Sequence, residues 1–305
     1  MKTALVVAAI SIAATGLSFA ADMPLKAPPP PVAPVMTWTG FYIGLNAGGA
    51  WDNNHSVDTV GRPVSSSLGG GIGPGSYAAN SAAAATGSTF FGNNGRFIGG
   101  GQIGYNWQVG RGVAGFEADI DGFGQRSRTS ILNNTVGPFQ FFGNGEVINS
   151  TITNTRTLDY LGTVRGRLGF LAAPSFLLYA TGGVAYGGVR TSTTVTQTNN
   201  DCVVFPGVCL APAAASFGSA STTRFGWTAG VGGEWMFAPN WSAKAEYLYY
   251  DLGSISSNST LSTGGGTFAA GGAAVVNVQS TAKFNGSIAR VGINYHFGGP
   301  VVARY

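Results

Sequence analysis

Eight segments of this chain alternate apolar with polar or glycine residues at a period of two, and the gaps between them alternate between very short and very long. The segments are Trp38–Trp51, Phe97–Trp107, Val113–Asp121, Leu158–Phe170, Phe176–Val189, Arg224–Phe237, Trp241–Tyr250 and Lys283–Phe297. Period two is the mark of a β-strand that meets an apolar phase on one face and a polar one on the other. The short gaps are Gln108–Gly112, Leu171–Ser175 and Ala238–Asn240, whereas Asp52–Arg96, Gly122–Thr157, Arg190–Thr223 and Asp251–Ala282 are long and rich in Gly, Ser, Asn and Thr. A compact soluble domain rarely carries four connections of that length. A barrel crossing a membrane has this asymmetry by construction, with short turns on the periplasmic side and long loops outside. The pattern predicts an all-β fold, an eight-stranded antiparallel transmembrane β-barrel over 38–297, with both termini periplasmic and four long extracellular loops.

The polarity of the alternation assigns the two faces. In the last segment Ala289, Val291, Ile293, Tyr295 and Phe297 share one face, while Arg290, Gly292, Asn294 and His296 share the other. In the third, Ala114, Phe116, Ala118 and Ile120 oppose Gly115, Glu117, Asp119 and Asp121. Charges fall on one side throughout, which is taken as the lumen. Aromatic residues gather at the segment ends: Trp107, Phe237, Trp241, Tyr295 and Phe297 beside the short gaps, Trp51, Tyr249 and Tyr250 beside the long ones. Rings with one apolar and one wet end select the headgroup region, so these eight residues are expected to form two girdles. About 10 residues per strand, tilted by about 45°, match an apolar band of about 25 Å. A soluble secreted sandwich shares the period but does not need the girdles.

The ends of the chain and its composition narrow the compartment. Met1-Lys2, the apolar stretch Ala4–Ala14 and Ser18-Phe19-Ala20 read as a signal peptide over 1–20, cleaved after Ala20. Residues 21–37 hold Pro24, Pro28–Pro31 and Pro34 and read as an extended periplasmic linker. No stretch of 18 uninterrupted apolar residues follows, so no transmembrane helix is expected. Only 9% of residues are charged, against about 25% in an ordinary soluble domain, and the formal charge of +4 is scattered. That excludes a nucleic-acid footprint.

The segments WTGFYIGLNAGGAW, GFEADI, RGRLGF, LLYATGGVAYGG, GWTAGVGGEWMFAPNWSAKAEYLYYDLG and RVGINYHFGG resemble those of the alphaproteobacterial outer-membrane β-barrel family, the porin-family surface antigens distantly similar to the OmpA barrel. The resemblance runs from Trp38 to Tyr305. It implies residence in the outer membrane, with lipid and lipopolysaccharide as surroundings, and a surface role without a shared catalytic motif. It also implies that a terminal aromatic, either Phe297 or Tyr305 of the 298–305 tail, marks the last strand for the barrel-assembly machinery.

Catalytic, cofactor and metal sites are not expected. The two histidines, His55 and His296, lie far apart in sequence, and no serine shares the strand face of His296 nearby, as a nucleophile would need. Gly69–Gly71, Gly99–Gly101 and Gly264–Gly266 lack the GK[ST] and the strand-to-helix setting of a phosphate loop. Cys202 and Cys209, in the third long gap of an exported chain, are expected to form a small disulfide, and two cysteines alone do not make a zinc site.

What remains is the lumen. The inward positions Glu117, Asp119, Glu234 and Glu246 face Arg165, Arg167, Lys244 and Arg290 at neighbouring heights in the periplasmic half. Unpaired charges in a narrow interior cost several kcal/mol per ion, so mutual pairing is expected, and with it a blocked lumen. The expectation is a structural, surface-interacting barrel with a closed interior, contacting a surface ligand through its loops. The alternative is a small diffusion porin, against which stands the narrow interior of eight strands.

Overall fold

The computed structural model describes residues 37–67, 73, 76–92, 95–124, 127–139, 146–199, 213–264 and 273–297. The expected signal peptide, all of the Pro-rich segment but its last residue, Cys202, Cys209 and the tail beyond Phe297 lie outside the described residues. In chain order the elements are β1 (Gly40–Asp52), β2 (Ser56–Ser66), α1 (Tyr77–Ala84), β3 (Gly87–Phe90), β4 (Arg96–Val109), β5 (Gly112–Phe123) and β6 (Ser127–Phe139). They continue with β7 (Glu146–Ala173), β8 (Phe176–Asn199), β9 (Ala214–Ala238), β10 (Trp241–Gly264) and β11 (Ala273–His296).

Eight of these strands pair antiparallel in the order β1, β4, β5, β7, β8, β9, β10, β11, and β11 pairs back onto β1 with Tyr42 opposite His296 and Asp52 opposite Gly286. The ring is therefore closed, and no strand edge is left for lipid to meet. Its members contain the eight alternating segments except Trp38 and Thr39, which precede β1, and Phe297, which follows β11. Their outer face carries the large apolar residues the alternation assigns there, among them Leu45, Ile103, Phe116, Leu168, Phe225, Trp227, Val231, Val291 and Ile293, all exposed.

The long gaps are not simply loops. Strands β7 to β11 run for 24 to 28 residues, so most of Gly122–Thr157, Arg190–Thr223 and Asp251–Ala282 continues the ladder. Asp52–Arg96 folds into β2, α1 and β3. The cause is composition: a stretch such as Thr191–Asn199 is threonine-rich, threonine favours strands, and the growing ladder partners each added backbone donor and acceptor. Beyond an apolar belt nothing selects large hydrophobes on the outer face, so the alternation fades while the strand continues.

In this upper part β9 and β10 pair only as far as Trp227 and Asp251. Above that level β6 pairs β7, while β2 pairs β11 and β3 pairs β2. One sheet is then β6-β7-β8-β9 and the other β10-β11-β2-β3. The helix α1 packs against β2, β11, β6 and β7, capped by Ser76, whose hydroxyl accepts from the Ala79 amide. Ser81 ties it inward, donating to Gln197 Oε1 at 2.6 Å and accepting Gln197 Nε2 on its carbonyl at 2.8 Å. Register shifts between Leu158 and Leu161 on β7 and between Asp251 and Ser254 on β10 change which parity faces inward. Gly253 in the second bulge has φ of +74°, a conformation strained for any residue with a Cβ.

The interior is filled in layers. Trp38, fully buried with Val113, Leu171, Leu177 and Met236, floors the barrel. Charged and polar side chains follow, then an apolar layer that includes Ile98, Phe123, Leu158, Leu161, Leu248 and Ile288. Higher up, Asn154 donates to Thr59 and Thr89 and accepts from Thr193. A second apolar layer, with Ile152, Val195, Leu261 and Val276, packs beneath Ala82 and Ala85 of the α1 segment.

Candidate functional site

The lumen layer above Trp38 is the densest cluster of charged side chains among the described residues. It exists because β5, β7, β9, β10 and β11 each place alternate residues inward, and the register sets their heights. Glu117 stands opposite Arg165, Lys244 opposite Glu234, and Glu246 opposite Arg290. The Arg165 guanidinium donates to Glu117 at 2.5 Å, Asp119 at 2.7 Å and Glu246 at 2.9 Å. Arg290 reaches Asp119 at 2.7 Å and Glu246 at 2.8 Å, and Lys244 reaches both oxygens of Glu117 at 2.8 and 2.9 Å. Arg167 pairs with Glu234 at 2.7 Å. All eight expected residues are buried here, and each has an opposite charge within hydrogen-bond distance.

Several members of the layer were not singled out from the sequence. Asp121, placed inward by the alternation, receives Arg290 Nη1 at 2.6 Å. Tyr42 donates to Glu117 at 2.8 Å and accepts from Arg167 at 3.0 Å, while Thr163 donates to Asp119 and accepts from Arg165. Gln102, Asn294 and Asn46 add neutral hydrogen bonds on the β1 and β4 side. The inward glycines make this possible. A side chain at Gly104 would overlap the Tyr42 ring, and one at Gly232 would overlap the Tyr179 ring. Large side chains on some strands are accommodated by their absence on others.

His296 corrects an expectation. A serine does lie beside it, supplied by the neighbouring strand: Ser242 Oγ is 2.9 Å from His296 Nε2. Glu234 completes the group, accepting from Ser242 at 2.5 Å and lying 3.5 Å from the same His296 nitrogen. One strand face cannot reveal a partner that arrives through register with the next strand. The arrangement is not that of an activated nucleophile, because the serine donates to the carboxylate and the histidine meets both partners through one nitrogen. The Trp38 ring stands edge-on to the imidazole at 5.9 Å and closes it from below.

On the outer face Trp107, Phe237, Trp241 and Phe297 are exposed beside the short turns, with Tyr295 partly so, and Trp241 and Tyr295 rings meet at 5.1 Å. Trp51 and Tyr249 face outward at the other end, where Tyr249 packs against Trp227 at 5.2 Å. Tyr250 does not belong to a girdle. It is 1% exposed and lies among Leu248, Leu252 and Ile288 inside the barrel. Consecutive strand residues point to opposite faces, so Tyr249 and Tyr250 cannot share the outer one.

Above the apolar layer lies a second charged group. Asp52 accepts from Arg96 at 2.7 Å and is 3.3 Å from Arg128, while Arg156 donates to the carbonyls of Asn54 and Lys283. Burial lowers the pKa of Arg128 and Arg156 from its ordinary value, with Asp52 opposing the shift. Among the described residues no group of three or more His, Cys, Asp or Glu side chains is placed to hold a metal ion.

Residues 12–297 match the family described as outer membrane protein beta-barrel domain. The chain is 30% identical to the 31 kDa outer-membrane immunogenic protein of Brucella melitensis over 97% of its own length and all of the relative's, and equally to that of Brucella suis. A 22 kDa outer membrane protein of Rhizobium leguminosarum is 27% identical over 72% of this chain and 67% of that one. Among solved structures, the outer membrane protein OprG of Pseudomonas aeruginosa aligns over 88% of this chain and all of its own, at 13% identity and a TM-score of 0.36. With its closed antiparallel ring, apolar outer face and aromatic ends, the chain belongs to the outer membrane protein β-barrel family and is an outer-membrane protein.

Proposed function

We propose that the protein is a non-catalytic barrel with a closed lumen, which anchors a rigid extracellular platform for contact at the cell surface. The observation that carries this is the filled interior: a buried tryptophan floor, a paired charge layer and apolar layers follow one another up the barrel. A pore lined for selectivity presents charges to water, whereas these turn to one another. The Ser242–His296–Glu234 group supports the non-catalytic reading, because each residue is buried and Trp38 covers the imidazole. The platform is the pair of sheets above the belt, braced by α1. Lipopolysaccharide and lipid around the barrel, the assembly machinery during insertion and a surface ligand on the platform are the partners this reading requires. Liposomes carrying the refolded protein test it. No swelling in small sugars is expected, and swelling at rates scaling with protein content would favour the diffusion-porin reading.

A further inference from the structure

The group around Asp52 differs from the charge layer below it. In the lumen layer beneath the apolar one, every described charged side chain meets at least one opposite charge. Above it, Arg96 and Arg128 share the Asp52 carboxylate, and Arg156, which lines the same cavity, has no ion pair among the described residues, so positive charge is in excess at this point. Lys283, whose carbonyl accepts from Arg156, pairs with Asp251 at 3.4 Å in a unit that is neutral, and Asp121 is held by Arg290 in the layer below. Excess buried charge is costly, and proteins answer it with a partner.

The three guanidiniums are fixed rather than swinging free. Arg96 lies over the Phe123 ring at 4.8 Å and Arg156 over Phe284 at 4.7 Å, while Arg128 donates to the Gly92 carbonyl and Arg156 to two more carbonyls. Asp52, Arg96, Arg128 and Arg156, with Leu158 and Phe284, line a small cavity. Its space suits about one water-sized particle, too little for a tetrahedral oxyanion. Arg96 is 4% exposed, and its buried Nε has no hydrogen-bond partner among the described residues. A donor without an acceptor, in a cavity of net positive charge, is the complement of a small anion.

We propose that this cavity binds one monovalent anion of halide size, which neutralises part of the arginine excess and ties β1, β4, β6 and β7 together where the barrel passes into its extracellular extension. Chloride is the probe. The full-length protein, refolded in detergent, is melted at constant ionic strength while sodium gluconate is replaced by sodium chloride. The midpoint is expected to rise and then saturate. Arg96→Gln is expected to flatten that response, whereas Lys283→Gln, outside the cavity, is expected to keep it. Equal midpoints for the wild type in the two salts, or a full chloride response in Arg96→Gln, overturns the proposal. Should Arg96→Gln fail to refold, crystals of the wild type grown in bromide decide: an anomalous peak among Arg96, Arg128 and Arg156 supports it, and its absence there overturns it.

Discussion

Arg165 is one of the hubs of the lumen network. It is fully buried and shared by Glu117, Asp119 and Glu246, so its removal strands carboxylates that remain without water. Arg165→Ala is expected to cost about 3–5 kcal/mol, the range for breaking a buried ion pair from one side, read as a lower guanidinium midpoint of the refolded protein. A loss under about 1 kcal/mol would mean that solvent already screens these charges. The glycines give a sharper comparison. Gly104→Ala pushes a Cβ into the Tyr42 ring, whereas the nearest atom to a Cβ at Gly101, on the opposite face of the same strand, is 3.8 Å away. The first is expected to destabilise by about 1–3 kcal/mol more than the second, as overpacking does, and equal midpoints would contradict the packing described. Inward or outward placement was legible at this scale because strands alternate. Contacts between strands were not: Ser242 beside His296 and Tyr42 on Glu117 depend on a register that no single segment encodes. Asp121 shared the inward face with Glu117 and Asp119, yet its bond to Arg290 depends on a side chain from β11 reaching upward.

At the scale of elements, the sequence revealed the strands only where a lipid-facing side makes alternation visible. In Thr191–Asn199 and Ser254–Ser262 both faces are largely polar, so a period of two leaves little trace, and the ladder is recognised only once its partners are known. The interior signal there is sparse, with Val195 and Leu261 as isolated apolar residues among Thr and Ser. The consequence is testable with trypsin on intact cells. Arg190 is exposed yet paired with Ser221 on β9 and Thr157 on β7, and Arg62 is paired with Asn277 on β11. A protease needs an extended segment freed from its ladder, so both positions are expected to resist cleavage under conditions that cut an unstructured control. Rapid release of peptides ending at Arg190 would show that the extension is loop rather than sheet.

For the whole molecule, closure of the ring and filling of its interior are separate properties. Closure was legible from eight alternating segments with asymmetric gaps, because a ring with no free edge is the sheet a membrane tolerates. Filling was legible only in part. The charges appeared in near balance on inward faces, but the Trp38 floor, the apolar layer around Leu248 and the helix between the upper sheets arise from residues far apart in the chain. The central claim is that these layers close the lumen, and single-channel recording in planar bilayers tests it most directly. The account predicts that the refolded protein gives no large, stable conductance steps, and that Arg165→Ala combined with Arg290→Ala introduces or enlarges them by opening the charge layer. Large, stable channels in the unmodified protein would contradict it.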